Sequence, residues 1–326
     1  MTADSATTGG SLAPAEDLEQ YRRELTAYCY RMLGSVFDAE DAVQEAMVRG
    51  WRGIEGFEGR SAMRSWLYRI ATNVCLDMLR SRQRRARPMD MGPSRAADSF
   101  TGATLPDHVW LQPVPDAKVL PESGDPAELA EAKESVRLAF VAALQYLPAR
   151  QRAVLILREV LRWQASEVAE LLETTVASVN SALQRARATM AAREADEPVP
   201  EVVNPGQQDL LARYVDAFER YDITYLVSLL HQDAVMTMPP FDFWLRGAAE
   251  MGKFFVGPGG KCRGSRLVAT EANGSAAFGC YNRDGRGGYV PWCLQVIEVV
   301  GDRITGHHNF IDTNLFGLFG LPPRLP

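Results

Sequence analysis

The chain has 326 residues with a net charge of −6, 46% hydrophobic and 23% charged residues. That length predicts two or three domains, and the globular composition argues against a wholly disordered chain. No run of about 18 apolar residues occurs, which excludes a membrane-spanning helix, and the small, acidic N-terminus lacks the pattern of a signal peptide, so a cytoplasmic protein is expected. The charge is unevenly spread. Residues 17–87 carry +3, 88–133 carry −5, 134–193 carry +3 and 194–326 carry −5. Two basic blocks alternate with two acidic ones, a distribution that matters more for phosphate attraction than the total. Cys29, Cys75, Cys262, Cys280 and Cys293 form no CxxC pair, and the four histidines do not join them at zinc-finger spacing. Free thiols, no metal and no cofactor are expected.

Residues 1–16 read as a disordered tail. In 17–87, a helix is expected from about Asp38, with Asp38 as N-cap and Glu40 and Asp41 in its first turn. Its buried face would be Val43, Ala46, Met47, Gly50, Trp51 and Ile54. The stripe Met63, Trp66, Leu67, Ile70, Ala71, Val74, Cys75, Met78, Leu79 has the 3,1,3,1 spacing of one helix face. Residues 88–127 contain seven prolines and little periodicity, and predict an acidic Pro-rich linker.

Helical pattern resumes over 128–193. Within it, Ala165-Ser166 opens onto Val168, Ala169, Leu171 and Leu172. A break at Glu173-Thr174-Thr175 precedes a second helix with Val176, Val179, Leu183 and Ala186 inward. Two short helices with a tight turn are the helix-turn-helix plan. The second would expose Thr175, Ser178, Asn180, Ser181, Gln184, Arg185 and Arg187, polar groups suited to base edges followed by arginines suited to phosphates. An ordinary helical hairpin with a solvated face is the competing reading of these residues alone.

After a second Pro-rich linker (194–205), residues 206–326 read as α+β. An amphipathic helix and a shorter one over 208–231 precede strands at 234–238, 267–271, 276–280, 289–300 and 304–312. The stretch 314–322 is strongly apolar.

Residues 144–190, "LQYLPARQRAVLILREVLRWQASEVAELLETTVASVNSALQRARATM", resemble domain 4 of bacterial sigma factors. "DAEDAVQEAMVRGW" (38–51) and "SWLYRIATNVCLDMLR" (65–80) resemble domain 2 of extracytoplasmic-function sigma factors. Together they cover about half the chain. The resemblance implies a sigma factor that binds core RNA polymerase through its β′ clamp and β flap and directs initiation at specific promoters. Asp38, Glu40, Asp41, Gln44 and Glu45 would dock on the clamp. Arg60, Ser61, Arg64, Tyr68, Arg69, Asn73, Arg80 and Arg84 would serve the −10 element, Asn73 bonding a flipped-out base of the melted strand. Trp66, in the apolar stripe, is expected in the core rather than on that strand. The run Arg80, Arg82, Arg84, Arg85, Arg87 would hold phosphates. The helix-turn-helix residues above would read the −35 element. The sequence departs from the family at Glu173, often Gly, and at Ala182, often basic.

"LLARYVDAFERYDITYLVSLLHQDAVMTMPP", "FWLRGAAEMGKFF" and WLRG (244–247) resemble the SnoaL-like, nuclear-transport-factor-2-like fold, a cone of curved sheet and helices. Asp233, Asp242, His307, His308 and Asp312 are the residues from which an enzyme of that fold would build a carboxylate–imidazole pair. The expectation is nonetheless a regulatory domain, not an enzyme, touching the sigma domains or linker and tuning activity in cis. The alternative is a helix-turn-helix regulator fused to a SnoaL-like enzyme or ligand sensor. The domain 2 motifs discriminate against it, since such a fusion has no use for them. The expected fold class is thus two all-α sigma domains followed by an α+β cone.

Overall fold

The computed structural model describes residues 18–57, 62–80, 85–121, 125–140, 143–194 and 205–326. The first three long helices are α1 (Arg22–Leu33), α2 (Val36–Gly53) and α3 (Met63–Arg80). Gly34 ends α1 in the left-handed region at φ 68, and its N–H bonds Tyr30 O. A Cβ at Gly34 would stand 2.5 Å from a terminal methyl of Leu111, so a substitution would be strained by its positive φ and would also displace that side chain. Ser35, not Asp38, caps α2, its hydroxyl accepting from the Asp38 N–H at 3.2 Å. The helix therefore starts a turn earlier than the sequence suggested.

The buried stripe of α2 is Ala39, Ala42, Val43, Ala46, Met47 and Gly50. It packs on Leu25, Tyr28, Cys29 and Met32 of α1 and Leu67, Ala71, Val74 and Cys75 of α3. Trp51 corrects the expectation: it is 61% exposed. The 3.6-residue period that buries positions 43, 46, 47 and 50 turns position 51 about 100° away. Trp66 lies against Phe57, ring centroids 5.0 Å apart, and packs on the core as expected.

The second helical unit comprises α4 (Pro126–Phe140), α5 (Ala149–Leu155, continued by a π turn to Val160), α6 (Ala165–Leu171) and α7 (Val176–Glu194). Val168, Ala169, Leu171 and Leu172 meet Val179, Leu183, Ala186 and Met190. Val176 is 44% exposed rather than inward. It is the first residue of α7, one turn short of the stripe that starts at Val179.

The third unit runs α8 (Pro205–Arg220), α9 (Ile223–Ser228), β1 (Leu230–Thr237), β2 (Trp244–Arg246), α10 (Ala248–Val256), β3 (Arg266–Ala272), β4 (Ser275–Arg283), β5 (Tyr289–Val300) and β6 (Arg303–Phe310). The strands form one sheet in the order β2-β1-β6-β5-β4-β3, with only β1 and β6 parallel among these pairs. Alternation sorts the side chains to two faces. Phe278, Cys280, Cys293 and Ile297 meet the helices through Tyr214, Phe218, Met251 and Phe255. Ala277, Tyr281, Leu294, Val296 and Phe310 join the core shared with the sigma-like helices. The apolar tail folds back onto this second face, with Leu315, Phe316, Phe319 and Leu321 buried.

The linker is ordered where it is described, contrary to its sequence pattern. Short 3-10 turns at Pro88–Asp90, Ala97–Ser99 and Asp107–Val109 and a one-turn helix at Asp116–Val119 punctuate it. Backbone bonds tie Arg95 N to Trp244 O and Leu105 N to Pro240 O, and Phe100 sits edge-on among Phe241, Phe243 and Phe254. The segment is thus a strap over the third unit, and its prolines and turns follow that surface.

Candidate polymerase- and DNA-binding surfaces

The α2 surface is partly covered by the strap. Asp38 is 8% exposed, and its carboxylate pairs with the Arg85 guanidinium at 2.6 Å. Arg85 also donates to Trp110 O at 2.7 Å, so the pair is held in a hydrogen-bonded setting. This corrects the place of Arg85 in an exposed phosphate-binding run. Glu40 pairs with Lys118 of the strap. Asp41, Gln44 and Glu45 remain exposed, Glu45 bridging to Arg49 at 2.7 Å. Of the five candidate docking residues, Asp38 and Glu40 are therefore engaged from outside the helix and Glu45 by its own helix.

The α3 surface is covered from the other side. Tyr68 was expected on an open polar face but is fully buried, packed on Tyr28 and on Trp163 at ring distances of 5.2 and 5.1 Å. Burial pushes its phenol pKa up. Thr72, one turn further along α3, is buried and shares a 2.8 Å hydrogen bond with the Tyr28 hydroxyl. Arg64 bridges Glu24 at 2.8 Å and lies 5.8 Å from the Trp163 ring, while Arg69 reaches Glu170 of α6 at 3.4 Å. Asn73 and Arg80 stay exposed, Arg80 bonded to Asp77 at 2.8 Å. Arg60, Ser61, Arg82 and Arg84 lie outside the described residues.

The α7 surface is open. Thr175, Ser178, Asn180, Ser181, Gln184, Arg185 and Arg187 are all exposed. The Thr175 hydroxyl caps the helix, accepting from Ser178 N at 3.1 Å. Arg185 donates to Ser181 at 2.7 Å, and Arg187 bridges Glu159 at 2.5 Å. The turn before α7 needs a left-handed residue, and Glu173 adopts φ 51 there.

The Sigma-70 region 2 family matches residues 13–85, and the Sigma-70, region 4 family matches residues 137–190. The chain is similar to the ECF RNA polymerase sigma factor SigG of Mycobacterium tuberculosis, 45% identical over 317 residues, covering 94% of this chain and 83% of that one. This chain belongs to the extracytoplasmic-function RNA polymerase sigma factors. It is also similar to SigJ of the same species, 29% identical over 250 residues, 74% of this chain and 72% of that one. The crystal structure of the M. tuberculosis sigma factor SigJ shares its fold with a TM-score of 0.60 at 24% identity, covering 94% of this chain and 99% of that one.

In this sigma factor, the α+β third domain is latched to domain 2 by the tip of the β3–β4 hairpin. Asn273 is fully buried at φ 56, a conformation Asn tolerates better than most residues. Its Oδ1 accepts from Val114 N at 3.0 Å, its N–H donates to Val114 O at 3.1 Å, and its Nδ2 donates to the Tyr30 hydroxyl at 2.7 Å. Tyr30 in turn donates to Gln112 O at 2.8 Å, and Gln112 Oε1 accepts from Ser35, the cap of α2. Gly274 N donates to the Asp116 carboxylate at 2.8 Å. One turn of the third domain thereby fixes both the strap and the N-terminus of α2. Sequence reasoning missed these contacts. The sole local signal was the Asn-Gly pair between two strands, which marks a hairpin but not what the hairpin touches.

The candidate catalytic residues of the third domain do not assemble. Asp242 pairs with Arg95 of the strap at 3.0 Å, Asp233 is exposed, and Asp312 caps Asn314 N at 3.0 Å. His307 is buried between Tyr214 (2.8 Å) and Asn309 (2.9 Å), and Tyr214 also donates to Gln295 at 2.7 Å. Burial, with the neighbouring His308, lowers its pKa to about 3. A neutral ring protonated on Nε2 satisfies all of these contacts. His308 lies 2.9 Å from Thr237 and 3.4 Å from Glu298, but beneath strap residues Ala86, Pro88 and Leu111. The space left there is about 10 Å³, room for no more than one water. No helix among the described residues is long and apolar enough to cross a membrane.

Proposed function

We propose that this sigma factor brings core RNA polymerase to specific promoters, acting in the cytoplasm without a catalytic step of its own, and that its SnoaL-like domain and strap hold it closed until opened. Asp38, Glu40, Asp41, Gln44 and Glu45 dock on the polymerase clamp. Arg64, Arg69, Asn73 and Arg80, with Arg60, Ser61 and Arg84, serve the −10 element, Asn73 bonding an unstacked base. Tyr68 joins them only once α3 and Trp163 separate. The exposed α7 residues read the −35 duplex, bases near the helix start and phosphates through the arginines.

The observation that carries the closed state is the Asp38–Arg85 pair at 2.6 Å, together with Glu40–Lys118. Lys118 of the strap, and Arg85 just ahead of it and itself held by Trp110 O of the strap, place cations on two of these carboxylates. Docking and strapping then compete for the same groups. An ion pair made within one chain has the advantage of high effective concentration over one made with a partner.

Reconstitution with core polymerase tests this function. The parent protein should co-purify with core and start transcription at discrete promoters. Asp41→Ala with Glu45→Ala, both exposed, should weaken core binding about tenfold, equivalent to about 1.4 kcal/mol. No co-purification by the parent, or unaltered binding by the double variant, would contradict the assignment.

A further inference from the structure

The end of the sheet away from Asn273 carries a charge unlike the rest of its domain. Residues 194–326 hold 11 Lys+Arg against 16 Asp+Glu, yet six of the 11 cations gather here: Lys261, Arg263, Arg266, Arg283, Arg286 and Arg324. Topology brings them together. β3 starts at Arg266 beside the end of β4, Arg283 pairs in register with Tyr289, and Leu325 bridges Tyr289. Arg266, over the Tyr289 ring at 5.9 Å, and Arg283 together hold the Tyr289 phenol pKa below the usual value. Arg263 stacks on Tyr221 at 4.9 Å, and Arg283 Nε passes 3.1 Å from where a Cβ at Gly264 would stand.

Few anions answer them. Glu219 pairs with Arg266 at 3.1 Å, and Asp284 pairs with Arg324. Lys261, Arg263, Arg283 and Arg286 are exposed and have no ion pair among the described residues. Elsewhere in the domain, the helix cations are neutralised within a turn, Arg213 by Asp209 at 3.0 Å, Arg220 by Asp216 at 2.6 Å and Lys253 by Glu250 at 2.6 Å, while Arg303 lies 3.7 Å from Asp302 and Arg246 stacks singly over Trp244. Like charges collected without counter-charges repel one another, and a polyanion relieves that repulsion.

We propose that this basic end is a second DNA surface, contacting phosphates of the promoter duplex upstream of the −35 element while α7 holds the element itself. The proposal rests on the sigma-factor reading above. Three of the four unpaired cations are arginines, whose planar forks suit phosphate oxygens. The domain is also tethered close to that DNA, because only ten residues separate Glu194 of α7 from Pro205 of α8. Ten residues extend to at most about 35 Å, so duplex held by α7 is presented to the third domain at high effective concentration.

The test uses the full chain assembled with core polymerase and two promoter duplexes, one ending at the −35 element and one extended upstream by about two helical turns. The parent should bind the extended duplex about tenfold more tightly. Arg263→Gln/Arg283→Gln/Arg286→Gln should abolish that gain, leave the short duplex unaffected, and flatten the dependence of log affinity on log salt by about 2 to 3, near 0.9 per lost phosphate contact. Arg286→Glu alone, at the exposed hairpin tip and bonded to no side chain by its own, should lose part of the gain with an unchanged melting temperature. Equal binding of both duplexes by parent and variants, or loss of core binding in the triple variant, which would mark an acidic protein as the partner, overturns the proposal. A parent that binds neither duplex overturns the sigma-factor reading and this proposal with it.

Discussion

Glu173 holds the turn between α6 and α7 at φ 51, where its Cβ crowds the following carbonyl. Glycine adopts this conformation without that clash, at the expense of greater freedom in the unfolded chain. The balance favours Glu173→Gly by about 0.5 to 1 kcal/mol. Thermal or urea unfolding should show that gain, with −35 affinity unaltered, since Glu173 lies outside the exposed reading face of α7. A variant less stable than the parent would mean that the Glu173 side chain makes a compensating contact. Asp38 teaches a different lesson at the same scale. Its sequence context suits both a cap and a docking carboxylate. Its partner decides, and Arg85 lies 47 residues away.

The buried network of Tyr214, Gln295, His307 and Asn309 joins α8 to β5 and β6. His307 titrates near 3 when folded against an ordinary 6.5. Folding therefore favours the neutral ring. Its contribution is complete above about pH 6.5 and falls by up to about 1.4 kcal/mol per pH unit as the pH drops toward 3. Comparing denaturant unfolding of the parent and His307→Gln from pH 8 to 4.5 isolates this group from the carboxylates. The stability difference should shrink as pH falls, and a constant difference would contradict a neutral buried ring. Elements of this kind were legible in the sequence to unequal degrees. The 63–80 helix keeps its stripe, with Leu67, Ala71, Val74 and Cys75 buried against α1 and α2 and the rest partly buried, because those two neighbours cover one continuous face. Five of the six strands were foreseen, and β2 was not, because three residues carry too little alternation to register. The exposed face of α7 was legible because it meets solvent, where residue type and period alone decide. The polar face of α3 was legible only in part. Tyr68 looks polar-facing on its own helix and is buried by Trp163, 95 positions later in the chain. The strap was the least legible element: its bonds go to surfaces far away in sequence, and no period records such partners.

At the scale of the whole molecule, three bodies share one apolar core, which Ala277, Tyr281, Leu294, Val296 and Phe310 of the sheet enter, and polar contacts around Asn273, Asp116 and the strap tie them further. Opening exposes that second face of the sheet as well as breaking the polar contacts, and polymerase binding has to offset both. Competition for the same carboxylates requires opening to precede polymerase binding. Pro115 and Ala272 face each other as bridge partners between strap and hairpin. Antiparallel partners lie about 4.5 to 5.5 Å apart at Cα, within disulfide reach. Pro115→Cys with Ala272→Cys should therefore staple the closed form when oxidised. Core polymerase binding of this double variant, measured oxidised and then reduced, with each single variant as control, is the direct test. The account predicts little or no core binding when oxidised and recovery on reduction, and equal binding in both states would contradict it.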